Sequence, residues 1–235
     1  MRLRLGRILK IDIFMHWTFV LVPIVLFYNW RFQMGLDWLT ILAMSGLVAV
    51  AFICVLMHEY GHALAARHLG IRTRDIIITP IGGLARLERM PRNPFHELYV
   101  TIAGPMVNLV LALLVFLLIA SLGVNWMPPE EAPIKEQWLP IVMWLNLALF
   151  VFNLVPAFPM DGGRILRSML AFVFPYETAT RIAVLVGRLM ALVFVVLGTY
   201  WQQYSLVFIG CFVFFAASYE LRQFRKVTRQ EQAVG

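Results

Sequence analysis

Charged residues are scarce in this chain. Asp, Glu, Lys and Arg make up 14% of its 235 residues against 61% hydrophobic, and the mean hydropathy is +0.78. An ordinary water-soluble domain of that size is excluded. Cysteine is nearly missing as well: the two present, Cys54 and Cys211, both lie inside apolar runs, so no disulfide framework holds the chain together. Five histidines are too few for a diiron oxygenase of the membrane kind. Acidic residues number 13 against 20 basic ones, and the surplus of +7 would suit nucleic acid, but its placement has another explanation below. Long apolar runs are what the chain does have. It reads as an all-α polytopic membrane protein, one integral-membrane domain over residues 1–235, in contact with lipid on most sides.

One stretch organises the rest: the apolar run from Leu39 to Met57 leads directly into His58-Glu59-Tyr60-Gly61-His62. On a helix, His58 and His62 stand one turn apart on the same face, and two imidazoles so placed can close on one zinc at roughly 2.0–2.1 Å each. Glu59 is too far round the helix to be a third ligand with both histidines. It can instead take a proton from a metal-bound water. Ionisable groups in a membrane span cost a few kcal/mol each, roughly, so three together call for a compensating partner, which a metal supplies.

In chain order, Met1–Phe14 alternates with a period of two around Gly6-Arg7 and reads as a short surface hairpin. No small-residue cleavage site follows a short apolar core, so the first span is expected to be retained. Six spans are expected, at about 15–32, 38–69, 94–122, 138–154, 180–201 and 204–219. The second would run roughly 47 Å, with its last turns emerging at the headgroups. Residues 70–95 are too interrupted for a span. They read as two strands joined around Gly82-Gly83, a re-entrant hairpin dipping beside the metal helix, whose edge could pair with an extended substrate segment. Asn93-Pro94 supplies a cap and a first-turn proline for the third span, within which Asn108 is either a hydrogen-bond bridge between helices or a donor aimed into the site. Residues 123–137, with Pro128, Pro129, Glu130, Glu131 and Glu136, form a polar loop. Pro156 and Pro159 end the fourth span, and Asp161-Gly162-Gly163 opens a short amphipathic helix.

Basic residues test this count. Arg2, Arg4, Arg7, Lys10, Arg67, Arg72, Arg74, Arg86, Arg89, Arg92, Arg164, Arg167, Arg181, Arg222, Arg225, Lys226 and Arg229 fall on one side, and only Arg31 and Lys135 on the other. The first side is then cytoplasmic and holds both termini, and topology explains the charge without nucleic acid. Arg188, inside the fifth span, is expected to snorkel to the inner surface.

A catalytic zinc takes three protein ligands and keeps one position open. Cys54 fails as the third, because residues eight apart on a helix are about 12 Å apart along its axis. Asp161 fits better: the fourth span starts from the outer side, and Leu139 to Leu154 advances about 22 Å, to a depth near that of the histidines. His96 and Glu97 sit at the interface, where a solvated role is expected, and His16 and His68 are surface or packing residues. A zinc-binding membrane scaffold that holds partners without cutting them is the rival reading; Glu59 speaks against it, since a structural site needs no base. A metal transporter would show polar groups along a path across several spans.

Taken together, His58-Glu-Tyr-Gly-His62, Gly82-Gly83, Ala103-Gly-Pro-x-x-Asn108 and Asn153-Leu-Val-Pro-Ala-Phe-Pro-Met-Asp161-Gly-Gly resemble the site-2 protease family of intramembrane zinc metalloproteases. The resemblance implies one Zn2+ on His58, His62 and Asp161, with Glu59 as general base and acid. It implies that Asn108 and Asn153 hold the substrate backbone or the oxyanion, and that Gly82 and Gly83 present a pairing strand. The substrates implied are single-span transmembrane proteins in the cell (inner) membrane, cut near the cytoplasmic side. No appended regulatory module is expected, which points to a separate regulatory membrane protein.

Overall fold

The computed structural model describes residues 2–80, 82–89, 91, 93–129 and 134–234, apart from the side chains of 134–136, 223 and 225–234. Its elements in order are β1 (Arg2–Ile8), β2 (Ile11–His16), α1 (Leu21–Tyr28), α2 (Trp38–His68), β3 (Thr73–Thr79), β4 (Gly82–Leu87), α3 (Pro94–Leu122), α4 (Ile134–Asn153), α5 (Asp161–Leu170), α6 (Tyr176–Tyr200) and α7 (Tyr204–Val234). The chain is an integral membrane protein, and among the described residues four helices are long and apolar enough to cross a bilayer: α2, α3, α6 and the Tyr204–Arg222 part of α7.

That number corrects the expected six. Residues 15–32 do not form one helix: His16 still belongs to β2, a 3-10 turn covers Trp17–Val20, α1 has eight residues, and a π turn covers Asn29–Gln33. Strand pairing takes the start of the run, and the His16 ring accepts from the Thr18 amide and starts the 3-10 turn. The apolar part of α4, Gln137–Asn153, carries Pro140 and is about 25 Å long, short of a ~30 Å hydrocarbon core. The loop expected over 123–137 is shorter as well, since α4 begins at Ile134; Glu130 and Glu131 lie outside the described residues.

The chain divides into two compact units, Met1–Met90 with Ala103–Phe150, and Pro91–Ile102 with Val151–Gly235. In the first, all four strands join one open sheet in the order β1-β2-β3-β4. This replaces the separate surface hairpin and the re-entrant hairpin, because β2 pairs parallel with β3, from Asp12 opposite Asp75 to Met15 opposite Ile78. A parallel pair needs a long crossover, which α1 and α2 provide. The first turn falls at Leu9-Lys10, both at positive φ, while Gly6 lies at an irregularity in the β1–β2 register. Gly82 and Gly83 likewise open β4 rather than making its turn. Ile11 and Ile76 of the sheet pack on Ala63 of α2, with Leu56, Tyr60 and Ala85 around them. The Tyr60 hydroxyl and the Arg67 guanidinium donate to the carbonyls of Ile8 and Leu9, which ties the end of α2 to the first turn of the sheet.

In the second unit, Asn93 caps α3 as expected, its side chain accepting from the amides of Phe95 and His96. The pair α6–α7 packs closely where glycine permits: a Cβ on Gly210 would stand 2.8 Å from the Ala191 carbonyl. Ala157 and Met160 pack on Ala191 and Val213, and Phe158 on Ala183, Val184 and Ala217. The loop before α5 is thereby seated on both helices. Arg188 donates to the Ser218 hydroxyl and lies over the Phe214 ring, so its charge is held between α6 and α7.

Candidate metal centre

His58 and His62 occupy the buried face of α2, one turn apart, with their Nε2 atoms 3.1 Å apart. The local sequence makes room for them with small residues. A Cβ on Gly61 would lie 2.6 Å from the Ala103 carbonyl, so α3 crosses α2 at near backbone contact. At the next residue, Gly104, a Cβ would collide with the His62 ring and stand 2.8 Å from His58 Nε2. The motif Ala103-Gly104-Pro105 therefore acts as a cradle for two imidazoles.

Asn108, one turn further along α3 and fully buried, places its Oδ1 2.6 Å from His58 Nδ1 and donates from Nδ2 to Asn146 of α4. Its amide bridges α3 to both α2 and α4. Asn146 itself, also fully buried, was not singled out from the sequence, although an asparagine inside an apolar helix is a signal in its own right. Cys54 is buried too; rather than ligating, its sulfur accepts from Asn146.

Glu59 points away from that amide bridge, toward the sheet. The Ala85 amide of β4 donates to its Oε2 at 2.7 Å, and a Cβ on Gly83 would stand 2.5 Å from Glu59 Cγ. The carboxylate lies along the free side of β4 in a place that only glycine at position 83 leaves open. Gly82 has φ +136, and its carbonyl accepts from the Thr79 hydroxyl.

Asp161 is the first residue of α5 and is buried. The glycines after it let the helix fold back on its own loop: Gly162 lies against the carbonyls of Leu154 and Val155, and Gly163 against Ala157 and Phe158. The far end of α5 is fixed by charge. Arg167, 4% exposed, donates from Nη2 to Glu97 Oε1 at 2.5 Å and from Nη1 to Glu220 at 2.9 Å, and its guanidinium lies over the rings of Phe158 and Tyr176. Glu97, expected in solvent, is fully buried because Arg167 and the Tyr176 hydroxyl both reach its Oε1. His96 and His68 are exposed and His16 half-buried, as surface or packing residues are. Asn153 ends α4, half-buried.

One ligand atom each from His58, His62 and Asp161, all buried, lie within 4.8 Å of one another, a group able to hold a metal ion. Two imidazole nitrogens and a carboxylate suit zinc and leave one of four positions open.

Comparison with known proteins agrees with this geometry. The model for peptidase family M50 matches residues 46–128 and 134–195, more than half of the chain. A zinc metalloprotease of Methanocaldococcus jannaschii is 33% identical over 94% of this chain, which spans 60% of that protein. Stage IV sporulation protein FB of Bacillus subtilis is 30% identical over 59% of this chain and 45% of its own length. Among solved structures, the site-2 protease from Methanocaldococcus jannaschii superposes with a TM-score of 0.66 at 32% identity, covering 94% of this chain and 95% of that one. The chain therefore belongs to peptidase family M50, the family of the site-2 proteases.

Proposed function

We propose that this protein is a zinc-dependent endopeptidase that hydrolyses a peptide bond within or near the transmembrane segment of membrane-protein substrates, its two units working as one integral-membrane protease domain. The observation that carries the proposal is the buried group of His58, His62 and Asp161. Those three residues would hold Zn2+, which when bound polarises the scissile carbonyl and makes water a nucleophile near neutral pH. Glu59, next to the first ligand, takes the proton of the attacking water and returns it to the leaving amine. The Ala85 amide limits where that carboxylate can swing, and Gly83 leaves room for it.

A helical substrate hides its carbonyls in internal hydrogen bonds, so it unwinds before attack. The free edge of β4 at Gly82 and Gly83 offers an extended segment partners for its backbone groups, and Asn153 and the neighbourhood of Asn108 lie in the motifs that would hold the substrate backbone. The substrates proposed are single-span proteins of the cell (inner) membrane, with regulation by a separate membrane protein. Arg2, Arg4, Arg7, Arg74 and Arg86 all belong to the one sheet, and this basic content favours a cytoplasmic location for it, with both termini on that side.

The test is purified protein offered a panel of single-span substrates, with and without a zinc chelator, beside Glu59→Gln. Cleavage that chelator abolishes, and a variant that keeps zinc but loses about 10²–10⁴-fold in rate, are expected. Full turnover by Glu59→Gln overturns the assignment of the base, and chelator-insensitive cleavage overturns the metal mechanism.

A further inference from the structure

A line of buried polar groups in the first unit leads to His58. It consists of Cys54 on α2, Asn108 on α3, and Asn146 with the Val142 carbonyl on α4. Their hydrogen bonds have a single consistent polarity, and it is set at the Val142 end. A backbone carbonyl only accepts. The group 2.9 Å from it must therefore be the Asn146 NH2, which also donates to the Cys54 sulfur at 3.2 Å; with the amide turned over, two oxygens would face each other. That orientation presents Asn146 Oδ1 to Asn108, which must answer with its own NH2, at 3.0 Å. Asn108 Oδ1 is then the atom facing His58 Nδ1 at 2.6 Å, and a carbonyl oxygen at that distance needs an N–H to accept from.

A neutral imidazole carries one proton. If Nδ1 holds it, Nε2 has the lone pair, and Nε2 is the atom that His58 turns toward His62 Nε2. We infer that Asn146 and Asn108 are positioning residues for the metal centre: a relay of neutral amides, its polarity fixed by the Val142 carbonyl, holds His58 as the Nδ1–H tautomer with Nε2 ready to coordinate. Carboxylates perform this service in many soluble metal sites. Here the partners stand on three apolar helices, where a neutral amide avoids the cost of a further buried charge. Among the described hydrogen bonds, Asn146 reaches His58 by way of Asn108.

This inference rests on the reading of His58 as a zinc ligand. Two measurements test it. The first is histidine 15N NMR of the metal-free wild-type protein, with His58 assigned by its loss in His58→Ala. The Nδ1–H tautomer is expected, and a predominant Nε2–H tautomer overturns the relay without need of any further variant. The second is Zn2+ affinity by competition with a chromophoric chelator. Asn108→Leu is expected to weaken zinc binding about 10–100-fold, and Asn108→Gln, which keeps both a carbonyl acceptor and an NH2, to weaken it less. Asn146→Ala is expected to weaken it less and to give a mixture of His58 tautomers. The double variant Asn108→Leu with Asn146→Ala should match Asn108→Leu alone, because both act through one path. Wild-type affinity in both single variants, or losses that simply add, overturns the relay. A wild-type protein that fails to bind zinc at all overturns instead the assignment of the metal centre.

Discussion

The histidines and the aspartate of the candidate metal centre are supported in opposite ways. On the α3 and α4 side of His58 and His62 the supporting groups are neutral: glycines that admit imidazole rings, two asparagine amides and a thiol. Around the helix that begins with Asp161 they are charged, with Glu97, Arg167 and Glu220 in contact inside the second unit. The imidazoles stand on a helix apolar enough to span a bilayer, whereas α5 is short and is not among the candidate spans. Solvation separates the two solutions. A charge on a spanning helix must be compensated locally, whereas a short helix between longer ones can collect partners from three neighbouring elements.

This contrast can be broken at either end. The largest effect is expected from Gly104→Ala, whose new methyl group would collide with the His62 ring; zinc retention through a desalting step should be lost while helical content is kept. Arg167→Met leaves the Glu97 carboxylate buried without its main partner. A loss of about 3–5 kcal/mol in unfolding free energy is expected, read from thermal or denaturant melts of the detergent-solubilised protein. Glu97→Gln with Arg167→Met should recover part of that loss. Gly83→Ala moves the Glu59 carboxylate without touching a ligand, so kcat should fall by about 10–100-fold at unchanged zinc affinity. An equal loss of zinc would mean that β4 supports the metal rather than the base.

The smallest effect concerns a pair on the sheet. The Arg86 guanidinium, 2.6 Å away at Nε, holds the Asp75 carboxyl below the usual carboxylate range. A carboxyl with a depressed folded pKa stabilises the fold above its unfolded value, near pH 4, and that contribution disappears as pH falls through the lower folded value. Stability measured from pH 6 down to pH 3 should therefore drop less steeply in Asp75→Asn than in the wild type. With Arg86 partly exposed, the difference should be about 1 kcal/mol or less.

Much of the centre was legible in the chain because its signals are local. His58, Glu59 and His62 share one helical turn, and Asp161 follows a proline-broken helix with two glycines behind it. Asn93 was readable as a cap for the same reason. Relations between distant segments were not readable. The pairing of β2 with β3 joins residues some sixty positions apart, and a two-residue period in each segment separately carries no information about it. The same pairing undid the expected first span: residues 15–32 are apolar enough for a membrane helix, but hydropathy cannot register that His16 is claimed by a strand. Glu97 was misplaced because its position near a helix start points to water, while its partner, Arg167, lies seventy residues on. The orientation of Asn108 depended on Asn146, and one asparagine does not announce which way another will turn it.

The open sheet has two rims, and they differ in kind. Along β1 the outermost strand is exposed, carries Arg2, Arg4 and Arg7, and is bent at Gly6, features that discourage another strand from docking. At β4 the rim opens with two glycines, and the catalytic carboxylate candidate is its neighbour. Lateral growth of this sheet is thus one-sided. A guest strand that extended it at β4 would have to compete with Glu59 for the Ala85 amide, so the act of docking would itself release the base.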